Sequence, residues 1–247
     1  MKIALIGTGK MGTAIEPLAV QAGHEVVLRI GLHNREMLSP EILSTADIAI
    51  EFTQPDAAVD NLKACLKAGI PVICGTTGWN KQYEEIKGLF EKENGALLTA
   101  SNFSIGVNLL FELNRQLSKW MNEQSAYQAE VQEVHHIHKL DKPGGTAVTL
   151  AEEIVKAHHR YDQWQLAEND LPFMENILPV TAHREGEVIG QHTVRWKSEV
   201  DEILLYHGAF NRNGFAMGAL KAAEWLINKS GVFTLRDVLF PGSSIND

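Results

Sequence analysis

Lys2-Ile3-Ala4-Leu5-Ile6 runs directly into Gly7-Thr8-Gly9-Lys10-Met11-Gly12, and this opening decides the fold class. A short apolar run of β-formers is followed by a G-x-G-x-x-G turn and then by a helical stretch to about Ala22. Strand, glycine turn and helix in that order are the context a dinucleotide-binding loop requires. The glycines permit a tight turn and close backbone approach to a pyrophosphate, whose charge meets the helix N-terminal N–H groups. The competing reading is an ordinary βα turn. Pro17 lies inside the helical stretch and withholds one backbone donor, which a kink or a late helix start would accommodate.

Outward from this loop the alternation continues. Residues 24–30, 46–53, 71–74 and 96–101 read as strands, and 56–68 and 83–92 as helices between them. Strands alternating with helices imply right-handed βαβ units and a parallel sheet. The pattern then changes. A helix over 107–121 precedes a half-solvated strand over 127–135, and a helix over 146–157 follows a Gly-Gly turn. Residues 177–182, 187–196 and 199–210 read as three strands close enough for antiparallel hairpins. A helix over 214–228 and a short closing element over 233–240 end the chain. The expectation is an α/β fold with a Rossmann-type parallel sheet, plus a smaller α+β domain whose sheet is mixed or antiparallel. The boundaries are 1–104, completed by 215–247, for the dinucleotide-binding domain and 105–214 for the second domain.

The composition, 45% apolar and 21% charged over 247 residues, argues against disorder or a fibrous repeat. No run of 18 apolar residues suggests a membrane span. The start does not read as a signal peptide, because glycines interrupt the apolar run. Cys65 and Cys74 are the only cysteines and read as reduced cytosolic thiols, so a cytoplasmic location is expected. The net charge of −9 (22 basic against 31 acidic residues), without a basic block, disfavours nucleic acid as a partner. An anionic substrate must be drawn by local positive charge against the overall field.

Further candidates lie at the ends of the later strands. The acidic residue that grips a ribose 2′-hydroxyl in many such loops is missing; Asn34 could bond a hydroxyl, and Arg35 or Arg29 could meet a 2′-phosphate. Gly75-Thr76-Thr77-Gly78 and Ala100-Ser101-Asn102-Phe103 follow two strands at their carboxyl ends, where open α/β sheets bind ligands.

The most informative stretch is Glu133-Val134-His135-His136-Ile137-His138-Lys139-Leu140-Asp141-Lys142-Pro143-Gly144-Gly145-Thr146-Ala147. Its three histidines lack metal-ligand spacing of the H-E-x-x-H kind, and the adjacent lysines disfavour a cation, so no metal is expected. The catalytic reading uses the neighbours. Lys139 supplies a point charge for a carboxylate. Gly144-Gly145-Thr146 opens a helix whose free N–H groups, with the Thr146 hydroxyl, can hold a second anionic group. A histidine between two such anchors can pass a proton near neutral pH. That combination suits a small dicarboxylate reduced by hydride addition and protonation.

Residues 133–147 match the stretch E-x-H-H-x-x-K-x-D-x-P-S-G-T-A everywhere except Gly144, and on them the chain resembles the 4-hydroxy-tetrahydrodipicolinate reductase (dihydrodipicolinate reductase) family. The likeness extends through GTTGW at 75–79, ASNFSIGVN at 100–108, REGEVIGQHTV at 184–194, FAMGALKAAEWL at 215–226 and FTLRDVL at 233–239. The resemblance implies reduction of a dipicolinate-like ring by NADH or NADPH in diaminopimelate and lysine biosynthesis, a second domain that binds substrate and makes oligomer contacts, and a homotetramer. It implies His135 as proton donor and acceptor and Lys139 as a second proton donor. It places His136, Gly145 and Thr146 on the substrate. Gly7, Thr8, Gly9, Lys10, Met11, Gly12, Asn34, Arg35, Gly75, Thr76, Thr77, Ala100, Ser101, Asn102 and Phe103 take cofactor positions. Four residues depart from the family pattern: Asn34 for a frequent glutamate, Lys10 for arginine, Gly144 for serine and Met217 for asparagine. The runner-up reading is another two-domain nicotinamide oxidoreductase acting on a small amino or dicarboxylic acid.

Overall fold

The computed structural model describes residues 1–167 and 174–242, which form two compact units. Unit 1 contains residues 1–105 and the described residues from Arg212 onward; unit 2 spans Gly106–Asn211. Among the described residues no helix is long and apolar enough to cross a membrane.

Unit 1 is a six-stranded, wholly parallel sheet. Its strands are β1 (Lys2–Ile6), β2 (Glu25–Ile30), β3 (Ile48–Glu51), β4 (Val72–Cys74), β5 (Ala96–Thr99) and β11 (Gly231–Thr234), ordered β11-β5-β4-β3-β1-β2. Strands β1, β3 and β4 are continuous buried runs because helices cover both faces. On one face α1 (Lys10–Gln21) and α7 (Asn213–Leu226) pack Ile15, Ala19, Ala216, Ala219 and Ala223 against β1 and β3. On the other, α3 (Pro55–Lys67) and α4 (Tyr83–Lys92) bury Leu62, Cys65, Ile86 and Phe90. Helix α7 thus rejoins the first unit.

Several local expectations need correction. Helix α1 starts at Lys10 and runs through Pro17, which is exposed, so a late helix start is not how the proline is housed. Residues 35–43, not read as regular from the sequence, form a 3-10 turn (Arg35–Leu38) and a short helix, α2 (Pro40–Leu43), with Ser39 as its cap and Pro40 in its first turn. The closing element is two elements. Gly231–Thr234 adds β11 beside β5, and Thr234 and Asp237 then form a capping box on α8 (Leu235–Leu239).

Unit 2 is a five-stranded mixed sheet. It contains α5 (Ile105–Met121, whose first residue belongs to unit 1), β6 (Gln128–His135), α6 (Gly145–Ala157), β7 (Gln163–Leu166), β8 (Ile177–Arg184), β9 (Gly190–Lys197) and β10 (Glu202–Ala209). The strand order is β10-β9-β6-β8-β7. Only β9 and β10 form the expected antiparallel hairpin, around a turn tied by Ser198 and Asp201. Strand β8 is not its hairpin partner. The α6 crossover returns the chain parallel to β6, so β7 and β8 pair parallel, β8 docks beside β6, and β9 takes the other side of β6. Ala147, Leu150, Ala151 and Ile154 of α6 seal the inner face over Val131, Val180, Val194 and Trp196.

Among the described residues, buried polar clusters interrupt both cores. In unit 1 the Glu51 carboxylate, fully buried, accepts from Asn61 Nδ2 at 3.2 Å, from the Thr53 hydroxyl and from Cys74 Sγ at 3.2 Å. Burial, first, and the Glu51 charge push the Cys74 thiol pKa well up; burial does the same to Cys65. In unit 2 the cluster centres on Glu133.

Candidate active site

The glycine-loop end of unit 1 sits where the sheet order reverses. The chain moves from β1 outward to β2, then crosses to β3 on the opposite side of β1, so the loops after β1 and β3 diverge and leave a crevice at their carboxyl ends. A cavity of about 480 Å³ opens there, lined by Gly7, Thr8 and Gly9 after β1, Gly31 and Arg35 after β2, and Phe52, Thr53 and Gln54 after β3, among others. Gly7 has φ of +109°, and a Cβ there would lie 2.0 Å from the Phe52 carbonyl oxygen; one on Gly12 would lie 2.1 Å from that of Gly7. Side chains are therefore excluded from both positions, which lets α1 start directly against β1 and β3. At Gly9, by contrast, a Cβ position has no neighbour within 4 Å, so its backbone is open to a ligand. Thr8, Gly9 and Lys10 are exposed at this helix start. These residues fit the pyrophosphate and ribose of a dinucleotide.

The side chains after β2 are less available than their types suggest. Asn34 Oδ1 accepts from the Gly31 N–H at 2.7 Å, and its Nδ2 donates to the Arg29 carbonyl at 2.8 Å. Its amide shapes the turn, and the residue does not line the cavity. Arg29, read as a possible phosphate contact, is committed to Glu16: its Nε donates at 2.8 Å, and the pair lowers the Glu16 pKa and raises that of Arg29. Arg35 is the cation that lines the cavity. The loops after β4 and β5 carry Gly75, Thr76, Thr77, Ala100, Ser101, Asn102 and Phe103. Thr76 Oγ1 accepts from the Thr53 N–H at 2.7 Å, linking the β3 and β4 loops, while Phe103 is buried against Phe52, 5.6 Å between ring centres. Thr76 and Phe103 thus support the crevice wall, while Thr77 and Ser101 are exposed.

In unit 2 the period of two along β6 decides the site. Ala129, Val131, Glu133 and His135 alternate onto the buried face, so the apolar core ends in a carboxylate and an imidazole. Register then supplies their neighbours. Glu133 lies opposite His192 of β9, and His192 opposite His207 of β10; His135 lies opposite Arg184 of β8. The fully buried Glu133 accepts the Gly144 N–H at 3.0 Å on each oxygen and Arg184 Nη1 at 3.1 Å. His135 Nδ1 lies 3.4 Å from Glu133 Oε2, and the rings of His135 and His192 meet edge-on at 5.1 Å. Glu133, His135 and His192 offer polar atoms within 4.8 Å of one another, and the Glu133 carboxylate is paired with Arg184.

The segment after β6 closes over this network. Lys139 Nζ reaches both oxygens of Asp141 at 2.5 Å. Arg184 clamps the backbone beneath them, donating from Nε to the Lys139 carbonyl at 3.2 Å and from Nη2 to that of Asp141 at 2.5 Å. Gly144 then begins α6 without a side-chain cap. Gly145 is exposed and Thr146 half-buried in its first turn. Burial lowers the His135 pKa; Glu133 opposes that, while Lys139 and Arg184 add to it. Burial likewise raises the Asp141 pKa, but its hydrogen bonds to Lys139 and that cation's charge outweigh burial and leave the carboxyl below its usual range. One end of unit 2 therefore gathers an imidazole, two cations and an uncapped helix start.

Two sequence profiles cover this chain: "Dihydrodipicolinate reductase, N-terminus" matches residues 1–103, and "Dihydrodipicolinate reductase, C-terminus" matches residues 106–239. The chain belongs to the dihydrodipicolinate reductase family. The 4-hydroxy-tetrahydrodipicolinate reductase of Christiangramia forsetii is 43% identical over 241 residues, covering 97% of this chain and 98% of the relative. That of Methanopyrus kandleri is 35% identical over 94% of this chain and 87% of its own length. In fold, the chain matches a dipicolinate-bound dihydrodipicolinate reductase from Paenisporosarcina sp. TG-14 with a TM-score of 0.78 at 21% identity, over 95% and 97% of the two chains.

Within this dihydrodipicolinate reductase framework the three adjacent histidines separate. His135 is buried in the network. His136 is half-buried, its ring 6.0 Å from that of His138, and His138 is exposed beside Glu187. The Gly144 departure has a spatial reason: a Cβ there would lie 2.9 Å from Lys139 Cε and from Glu133 Oε2, so its absence lets Lys139 rest against the turn. Met217 is exposed on α7, and nothing in the structure explains it. Arg184, Glu133 and Asp141 are contributors to which sequence reasoning gave no role. Arg184 and Glu133 are 51 residues apart, and only the β6–β8 register joins them.

Proposed function

We propose that the protein catalyses the NAD(P)H-dependent reduction of 4-hydroxy-tetrahydrodipicolinate to tetrahydrodipicolinate in diaminopimelate and lysine biosynthesis. The observation that carries this reading is the pairing of an imidazole with two anion anchors, Lys139 and the Gly145-Thr146 helix start, at one end of unit 2. A ring bearing two carboxylates matches two separate cationic or N–H-rich anchors. The substrate differs from the product by a hydroxyl that leaves as water, so the site must deliver protons.

NADH or NADPH supplies the hydride. The β1–α1 backbone at Gly7–Gly12 holds the pyrophosphate, with Thr8 and Lys10 beside it, and Arg35 takes the adenosine side. The loops at Gly75–Thr77 and Ala100–Phe103 form the wall of the nicotinamide pocket. Lys139 exchanges its Asp141 partner for a substrate carboxylate and stabilises the electron-rich ring. His135 passes the proton that completes the reduction. His136 and the Thr146 hydroxyl orient the second carboxylate. Residues 1–104 with 215–247 carry the cofactor, and 105–214 carry substrate binding and assembly. A cytoplasmic homotetramer is part of this reading; Ile203, Leu204 and Tyr206, exposed along β10, supply an apolar edge for it, and sedimentation of the purified protein checks it.

The deciding experiment is a coupled assay with freshly generated 4-hydroxy-tetrahydrodipicolinate and each reduced cofactor. Oxidation of either nicotinamide at a rate proportional to enzyme supports the reading. No oxidation above the substrate-free control rejects it.

A further inference from the structure

Glu133 has no assigned task in the reduction, yet it is the best-connected group in unit 2. Its carboxylate is fully buried, and one pair of oxygens faces four partners: the Gly144 N–H, Arg184, His135 Nδ1 at 3.4 Å and His192 Nε2 at 3.8 Å. A buried carboxylate needs compensation, and Arg184 with the Gly144 amide supplies it. Those two contacts fix the carboxylate, which leaves Oε2 standing beside the imidazole. Among the described residues no hydrogen bond reaches His135 Nδ1 or either nitrogen of His192.

We propose that Glu133 is the positioning residue of this site, holding His135 as the Nδ1–H tautomer while the same carboxylate anchors the Gly144 turn that begins α6. Resting on the reductase reading, the proposal gives one buried anion command of both the proton-transfer group and the anion cradle. The two are then kept in register through a single carboxylate.

The geometry argues for tautomer control. A carboxylate 3.4 Å from one imidazole nitrogen favours the proton on that nitrogen by its charge, without an aligned hydrogen bond, and leaves the other for exchange. Every other charged or titratable group near His135 acts differently. Arg184 from β8 and Lys139 from the following loop repel an imidazolium. Asp141 is drawn to Lys139. His192 from β9 has its pKa pushed down to about 3 by burial and by its histidine neighbours, including His207 on β10. It is therefore neutral at working pH and packs edge-on without competing for charge. Glu133 is the anion nearest His135. On the far side a Cβ at position 190 would lie 3.0 Å from His135 Nε2, so Gly190 leaves that nitrogen room.

The test uses nitrogen-15 NMR of the imidazoles in the full chain, then kinetics. In the wild-type protein above the His135 titration, the His135 signals should report Nδ1–H. A dominant Nε2–H form would overturn the proposal with no variant needed. In Glu133→Gln the Nδ1–H preference should be lost and the His135 titration should move to lower pH. The basic limb of kcat should move with it, and kcat should fall about 10- to 100-fold, as when an orienting partner of a metal-bound imidazole is removed. KM should change less than threefold, because the Gln carbonyl can still accept the Gly144 amide. Glu133→Asp, which keeps the charge, should restore the titration and part of kcat. If Gln and Asp lower kcat alike while His135 titrates as in wild type, Glu133 is only structural and the proposal fails. If the tautomer and titration respond as expected but kcat does not follow, the positioning stands and the catalytic role of His135 falls instead.

Discussion

The glycine-loop end of unit 1 and the Glu133 end of unit 2 are built from different materials. The first is mostly backbone: glycine positions without room for a Cβ, a helix start, and loops braced by Thr76 and Phe103. The second is mostly ionisable side chains, with Glu133, His135, Lys139, Asp141 and Arg184 each defined by the others. Backbone donors keep their hydrogens at every pH and survive most single substitutions. A network of charges can be tuned, and it fails when one member changes protonation. The contrast suits the proposed division, in which one unit grips a cofactor common to many reactions and the other carries the particular chemistry.

The sharpest way to break this contrast is to remove single side chains at the substrate end. His135→Gln should lower kcat by about 10²–10⁴, the usual loss for a positioned general acid, while Lys139→Ala should damage kcat and KM together because it also releases a carboxylate. NADH affinity, followed by fluorescence without substrate, should stay within a few-fold in both. A well-folded variant that no longer binds NADH would merge the two ends. Arg35→Ala probes the one cationic side chain that lines the cavity in unit 1. It should weaken NADPH more than NADH by about 1.5–3 kcal/mol, as for a hydrogen bond to a charged group. Equal losses for both cofactors would place Arg35 away from the 2′-phosphate.

Acid should separate the units next. His135, His158, His192 and His207 all lie in unit 2, and burial lowers the pKa of each in the folded state. The unfolded chain then binds more protons, so stability contributed by these groups is present above the ordinary histidine pKa near 6.5 and is lost as pH falls toward the folded values. His192 alone, at about 3, should cost about 2 kcal/mol between pH 6.5 and pH 5 at ~1.4 kcal/mol per unit. Hydrogen exchange resolved by peptide should show β6, β9 and β10 losing protection before β1 and β3. Simultaneous loss in both units would contradict the assignment. The smallest effect is expected from Asp141→Asn, which removes the resting partner of Lys139. KM for the dicarboxylate should fall a few-fold with kcat little changed; a rise in KM would mean that Asp141 presents Lys139 to the substrate.

How much of this was readable from sequence depended on range. The glycine loop and its flanking strand and helix are local, and so is the alternation that turns Glu133 and His135 inward. Strand β11 was hidden because Gly231–Thr234 has little pattern of its own and exists by pairing with β5, more than a hundred residues earlier. The place of β8 beside β6 followed from the crossover, which outranked sequence proximity to β9. At the site, Arg184 could be found only through register. Asn34 illustrates another limit: its residue type suits a ribose contact, and its amide also holds the turn through the Gly31 N–H and the Arg29 carbonyl. Side-chain chemistry read along a chain counts capacities, and the fold decides how many remain free.

The buried carboxylate of Glu51 has a practical consequence. It accepts from Cys74, whose thiol pKa burial and then the Glu51 charge push up, while burial does the same to Cys65. With only two cysteines in the chain, neither presents a thiolate to an alkylating reagent at neutral pH. A cysteine introduced at an exposed position such as Leu140 would then be the sole site for a maleimide dye, and the chain could be tagged for single-molecule work without first removing its native thiols.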